Sequence, residues 1–152
     1  MIRRFGAPAI AGVSYRRRPG AYAILARGRN VLLTHQDEPT PEYQLPGGGI
    51  DAGESTLAAL HREVREETGW RIAAPRYLGS FRRFAYMPEY DLWAEKLCHI
   101  YVARPVRALS APTGAGHSAH WMTADAAAQA AANPGDRHFL LQYFSSNSVR
   151  GR

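Results

Sequence analysis

Two runs rich in β-favouring residues, Ala21 to Ala26 and Val31 to His35, flank the polar break Arg27-Gly28-Arg29-Asn30. Apolar runs on either side of a short glycine-containing break predict a β-hairpin. A further short strand is predicted around Glu42 to Leu45 and ends at Pro46; Gly47, Gly48 and Gly49 follow, where the backbone can make approaches that a side chain would forbid. From Ser55 the period lengthens. Leu57, Leu60 and Val64 recur at i, i+3 and i+7, which predicts an amphipathic helix with Ser55 as its N-cap and Gly69 as its stop. Two aromatic-rich runs, Arg76 to Tyr86 and Leu92 to Val102, lie on either side of Met87-Pro88-Glu89-Tyr90-Asp91 and predict a long antiparallel hairpin that ends at Pro105. The stretch SAPTGAGHSAH, from Ser110 to His120, reads as a loop, with Trp121-Met122 beginning or ending a short strand. Thr123 is placed to cap a helix over the Ala-rich stretch Ala124 to Ala132, and Asp136 to cap a short final helix through Phe139 to Phe144.

The chain has 152 residues, 45% of them hydrophobic and 21% charged. That is enough for one domain with a buried core, residues 1–152, with 1–19 as an extended or edge-strand segment. No internal repeat or low-complexity linker interrupts it. The lone Cys98 cannot form an intramolecular disulfide, which fits a reducing cytoplasm, and it is expected as a small buried hydrophobe. The opening MIRRFGAPAIAGVSYRRR has arginines beside an apolar patch, but Gly and Pro break that patch and no clear cleavage site follows, which argues against an export signal. No stretch is long and apolar enough to span a membrane.

Charge changes the picture. The formal net charge is +6 and, of 19 basic residues, only Lys96 is a lysine. Arginine forks suit phosphate. Five of the 13 acidic residues and two of the 19 basic ones fall between Asp51 and Glu67, which leaves 17 bases against 8 acids elsewhere. An acidic spot thus sits inside a basic protein, and a basic field steers polyanions.

On a helix, Glu63, Glu66 and Glu67 occupy one arc, with Glu63 and Glu67 one turn apart and beside the Leu57, Leu60, Val64 face. Like charges at that spacing repel, and partial burial makes the repulsion more costly. Hard oxygen ligands gathered at a glycine-rich turn suit Mg²⁺ or Mn²⁺, with backbone carbonyls at Gly47 or Gly48 as further ligands. The competing reading is an exposed charged helix with Arg62 and Arg65 as partners.

The spacing decides between them. Gly48, five residues, Glu54, seven residues, Arg62-Glu63-Val64, one residue, Glu66-Glu67, one residue, Gly69-Trp70 resembles the Nudix box without a break. The box covers 23 residues from Gly48 to Trp70, and the surrounding order of strands and helices is similar to the rest of the Nudix fold. The resemblance implies an α/β fold, an α/β/α sandwich around a mixed β-sheet. It also implies a hydrolase that cuts a pyrophosphate bond in a nucleoside diphosphate joined to another group. By the same resemblance Gly47, Glu63, Glu66 and Glu67 hold the divalent metal. Glu63, Glu66 and Arg62 form the catalytic set, and Gly48, Glu54 and Gly69 support it.

The proton-accepting carboxylate stays open between Glu63, Glu66 and, outside the box, Glu89, Asp91 or Glu95. Where many Nudix proteins carry a glutamate before a strand, this chain offers only His117 and His120. For the substrate, Arg82 or Arg83 are candidates to hold phosphate, Phe81, Phe84, Tyr86, Tyr90 and Trp93 to stack a base, and His117 to contact it. Three functions compete: a pyrophosphohydrolase of small nucleotides (nucleoside triphosphate, dinucleoside polyphosphate or ADP-ribose type), an enzyme trimming RNA 5′ ends, suggested by Arg3, Arg4 and Arg16 to Arg18, and a non-catalytic nucleotide sensor. A homodimer is expected from the resemblance, and no membrane partner.

Overall fold

The computed structural model describes residues 1–150, with side chains through residue 146. Among the described residues eight strands and three α-helices follow one another: β1 (Arg3–Arg4), β2 (Arg16–Arg27), β3 (Asn30–Gln36), β4 (Glu42–Gln44), β5 (Gly47–Gly49), α1 (Thr56–Thr68), β6 (Trp70–Met87), β7 (Leu92–Ala108), β8 (His117–Thr123), α2 (Ala124–Ala130) and α3 (Pro134–Arg150). The strands form one mixed sheet in the order β1-β6-β7-β2-β3-β4, with β5 added to β2 and β8 to β3. β1 runs parallel to β6, and β2 parallel to β7; the other pairs are antiparallel.

The helices cover both faces, so the architecture is the expected sandwich. On one face Leu60 and Val64 of α1 pack on Ala21, Ala23, Leu25, Leu32 and Ile72. On the other, Phe139, Leu140 and Phe144 of α3 and Ala127 of α2 pack on Ile24, Phe81, Cys98 and Ile100. Residues alternate between faces along a strand, which is why Ala21 and Ala23 belong to the first core and Ile24 to the second. Cys98 is buried, as its composition suggested.

Several elements depart from the sequence reading. Leu57 is 44% exposed and burial in α1 begins at Ala59: the first turn overhangs the apolar contact, and the buried stripe runs through Ala59, Leu60, Val64 and Thr68. The glycine stretch is a strand, paired Gly20 with Gly49, Ala21 with Gly48 and Tyr22 with Gly47. Pro105, opposite Ile72, does not end β7, which continues to Ala108 opposite Trp70. The ladder shifts register there, between Arg71 and Ile72 and again after Ala73, and Ala74 takes φ 51°. A proline is tolerated at such an irregularity because no regular N–H bond is demanded of it. The end of the expected loop, His117 to His120, is strand β8, held by β3 from Gln36 opposite His117 to Asn30 opposite Thr123. α3 starts earlier than expected. Asn133 Oδ1 accepts the Asp136 N–H at 2.8 Å, so Asn133 does the capping and Asp136 is buried in the first turn.

Candidate active site

Helix α1 is held at both ends as its sequence predicts. Ser55 Oγ accepts the Ala58 N–H at 3.1 Å, and Gly69 takes φ 76° with its N–H donated to the Arg65 carbonyl. The helix lies beside β5, and its inner face carries Glu63 and Glu67 to the glycine strand.

The contact is close. A Cβ on Gly48 would stand 2.5 Å from Glu63 Cδ, and one on Gly47 would stand 2.2 Å from the Ala21 carbonyl oxygen. The Gly47 N–H donates to Glu67 Oε2 at 3.2 Å. The Glu67 side chain is only 12% exposed, and His117 Nε2 lies 3.9 Å from its other oxygen. Burial pushes the Glu67 carboxyl up to about 8; the Gly47 N–H opposes this, and the charges of Glu63 and Glu66 add to it. Burial also raises the Glu63 pKa, against Arg62 and with Glu66 and Asp51. Carboxylates out of water and near one another disfavour ionisation in this way.

Arg62 ties the acidic cluster together. Its Nε and Nη2 donate to the two oxygens of Glu54 at 2.8 and 2.9 Å, its Nη1 donates to Glu63 Oε1 at 2.9 Å, and its Nη2 reaches the Gly49 carbonyl at 3.0 Å. The Arg62 fork draws the Glu54 carboxyl down to about 2, helped by the Asp51 N–H. Glu66 stands 3.5 Å from Arg62 Nη1 and is the most exposed of the three helix glutamates, at 45%. Glu63 and Glu66 turn toward Arg62 and Glu67 toward Gly47, and among the described residues no three His, Cys, Asp or Glu groups enclose a point where an ion would sit. The donor set nonetheless fits a hard divalent cation: two half-buried or buried carboxylates repel each other against a bare glycine backbone, and a cation would relieve that repulsion.

Glu63 and Glu67 open onto a cleft with two connected chambers. The inner one, about 330 Å³, is lined by Gly47 to Gly49, Glu63, Glu67, Arg18 and Tyr90. The outer one, about 630 Å³, is lined by Glu42, Arg83, Tyr86 and Pro88. Gln36, Gln44, Lys96, Glu89, Met87 and His117 border both. His117 is fixed by a hydrogen bond between its Nδ1 and Thr34 Oγ1 at 3.2 Å.

The candidates outside the box divide accordingly. Tyr86, Tyr90, Glu89 and His117 face the cleft. Arg82 does not: it lies opposite Arg4 of β1 and donates to the Ile2 carbonyl, because its neighbour Arg83 takes the cleft side of β6. Phe81 is fully buried. Phe84 packs on Tyr15, and Trp93 on Tyr15 and Tyr86. Asp91 accepts from the Tyr86 hydroxyl, Glu95 pairs with Arg17 at 2.9 Å, and His120 bonds Ser118 beside Tyr43.

Gln36, Glu42, Gln44 and Lys96 escaped the sequence reading. Lys96 was legible: along β7 the same-face positions Ala94, Cys98 and Ile100 are all buried apolar residues, and Lys96 is the one charge in that set. Glu42 and Gln44 lie on a strand too short for alternation to assign a face, and Gln36 ends β3 after a run, Val31 to Thr34, that is buried on both faces.

The NUDIX domain family matches residues 16–143 of this chain. This chain is a Nudix protein. An RNA pyrophosphohydrolase from Rhodospirillum rubrum is 44% identical over 63 residues, 41% of this chain and 38% of that protein. An NAD-capped RNA hydrolase from Mannheimia succiniciproducens is 35% identical over 68 residues, 41% of this chain and 26% of that protein. The chain spans half or less of the length of these curated relatives. A solved NUDIX hydrolase from Nitrosomonas europaea superposes with a TM-score of 0.69 at 18% identity, covering 86% of this chain and 90% of that one, and shows the shared Nudix fold. No helix among the described residues is long and apolar enough to cross a membrane.

Proposed function

We propose that this Nudix protein is a Mg²⁺-dependent pyrophosphohydrolase that cleaves a phosphoanhydride in a nucleoside diphosphate joined to another group, acting in the cytoplasm. The observation that carries the reading is the packing of Glu63 and Glu67 against the side-chain-free strand Gly47–Gly49 at the inner end of a cleft. Buried carboxylates that repel one another cost stability, so their retention beside bare backbone calls for a function.

Glu63, Glu66 and Glu67, with the Gly47 carbonyl, would hold the divalent cation, which when bound withdraws charge from phosphate oxygens and lowers the pKa of a coordinated water. Arg62, anchored by Glu54, keeps Glu63 aimed at the strand. Gly48 leaves the space that Glu63 fills. The attacking water must give up a proton to a carboxylate. Glu66 is the least restrained of the three, and Glu89 is the acid outside the box that borders both chambers. His117 stands at the chamber junction, where it would contact substrate.

The direct test is incubation with Mg²⁺ and a panel of nucleoside triphosphates, 8-oxo-dGTP, dinucleoside tetraphosphate, ADP-ribose, nucleotide sugars and triphosphorylated RNA, with products identified by mass. Cleavage of one class that Glu67→Gln lowers by about 100-fold or more supports the reading. Nucleotide binding with no cleavage of any compound would replace it with a sensor. A specific reading, RNA 5′-end hydrolysis, draws support from the names of the two relatives and predicts strong salt dependence of RNA binding.

A further inference from the structure

Three cations stand side by side on the cleft face of the sheet. Arg18 of β2 lies directly opposite Lys96 of β7, and Lys96 lies directly opposite Arg83 of β6. Directly opposed residues share a face, and all three border the cleft: Arg18 the inner chamber, Arg83 the outer, and Lys96 both. Adjacent strands are about 4.8 Å apart, so the file runs roughly 10 Å away from the glycine strand.

Like charges directly opposite one another destabilise a sheet. Among the described residues neither Lys96 nor Arg83 has a carboxylate within 4.0 Å. Arg18 rests over the Tyr90 ring, with its guanidinium carbon 4.9 Å from the centroid. Glu42 and Glu89 border the cleft with these cations, and Glu42 is already committed: it accepts from the side-chain amides of Gln36 and Gln44 at 3.1 and 2.7 Å. A half-buried file of unpaired cations that leads from the proposed reaction centre is arranged for an extended anion.

We infer that Arg18, Lys96 and Arg83 form a phosphate track that selects substrates carrying a further phosphate beyond the cleaved link, a 5′-triphosphate end, over those that carry an uncharged sugar in that place. The inference rests on the hydrolase reading for its substrate comparison, and its binding arm stands apart from that reading. In the binding arm, inorganic tripolyphosphate is titrated calorimetrically into the metal-free protein. The wild type binds it, Arg83→Gln and Lys96→Gln each weaken it by about tenfold or more, and Arg83→Lys keeps most of the affinity. In the kinetic arm, kcat/KM is measured for a nucleoside triphosphate, a 5′-triphosphorylated RNA and a nucleotide sugar. Arg83→Gln lowers the value for both triphosphates by about tenfold or more, and leaves the nucleotide sugar within about threefold.

Equal losses on triphosphate and sugar overturn the track, as does tripolyphosphate binding that ignores Arg83 and Lys96. A loss confined to the RNA also overturns it, because the cations would then serve the RNA chain. If the wild type cleaves nothing while tripolyphosphate binding depends on Arg83 and Lys96, the hydrolase reading fails and the anion track stands. Retained affinity in Arg83→Lys separates lost charge from a misfolded variant.

Discussion

Glu63 and Gly48 are fitted to each other: a Cβ on residue 48 would lie 2.5 Å from Glu63 Cδ and 2.6 Å from its Oε2. The neighbouring glycine has a different constraint, since a Cβ on Gly47 would meet backbone, the Ala21 carbonyl oxygen at 2.2 Å and Tyr22 Cα at 2.6 Å, at a φ of 148°. One glycine makes room for a site side chain and the other for the sheet itself.

Gly48→Ala is therefore expected to displace Glu63 while the fold survives, lowering kcat by about 100-fold, since misplacement on the ångström scale costs that much. Gly47→Ala is expected to cost stability first, by about 1–3 kcal/mol or more. Urea unfolding beside kinetics separates the two; equal melting midpoints for both variants would refute the distinction.

The rotation of α1 is testable by a pair of truncations. Leu60 is fully buried, whereas Leu57 is 44% exposed. Leu60→Ala should lose about 2–5 kcal/mol and Leu57→Ala less than about 1 kcal/mol. Similar losses in chemical denaturation would mean that the first turn is packed after all.

Asp136 makes the fold pH-sensitive. Burial raises its carboxyl from the ordinary 3.8 to about 6, opposed by the Leu45 N–H, which donates to it at 3.1 Å, and by Arg83. The folded state thus holds the proton more tightly than the unfolded chain. The stability this contributes is complete below pH 3.8 and is lost as pH rises through about 6, a change of roughly 3 kcal/mol. Asp136→Asn abolishes the titration. The stability of the wild type relative to Asp136→Asn should fall between pH 4 and pH 7.5; a constant difference would show that Asp136 does not titrate in this range.

Metal occupancy should appear as stability. A divalent cation present at about 100 times its dissociation constant adds about 2.7 kcal/mol, so Mg²⁺ should raise the melting temperature and EDTA should reverse the rise. Glu67→Gln should lose most of this response, and an unchanged response in that variant would remove Glu67 from the ligand set.

The box was legible because each of its parts acts locally. Ser55 and Gly69 cap α1 through groups within four residues, and Glu54 and Arg62 meet across a span of eight. Helical period alone placed Glu63 and Glu67 on the inner arc. The same reasoning failed at Leu57, because period assigns a face and cannot say where along its length a helix meets the sheet. It failed at His117 to His120, because glycine, serine and alanine read as loop until strand β3 supplies hydrogen-bond partners.

What the sequence by itself determined was the family and the acidic turn-and-helix, since these rest on short-range spacing and capping; the sandwich of helices on a mixed sheet followed from the family resemblance. Only the tertiary structure decided the cleft. It set Arg83 toward the cleft and Arg82 away, aligned Arg18, Lys96 and Arg83 across three strands, and joined Gln36 and Gln44 through Glu42. Pairing register is chosen by the packing of whole sheet faces, and a slip of one residue would turn every one of these side chains to the other side.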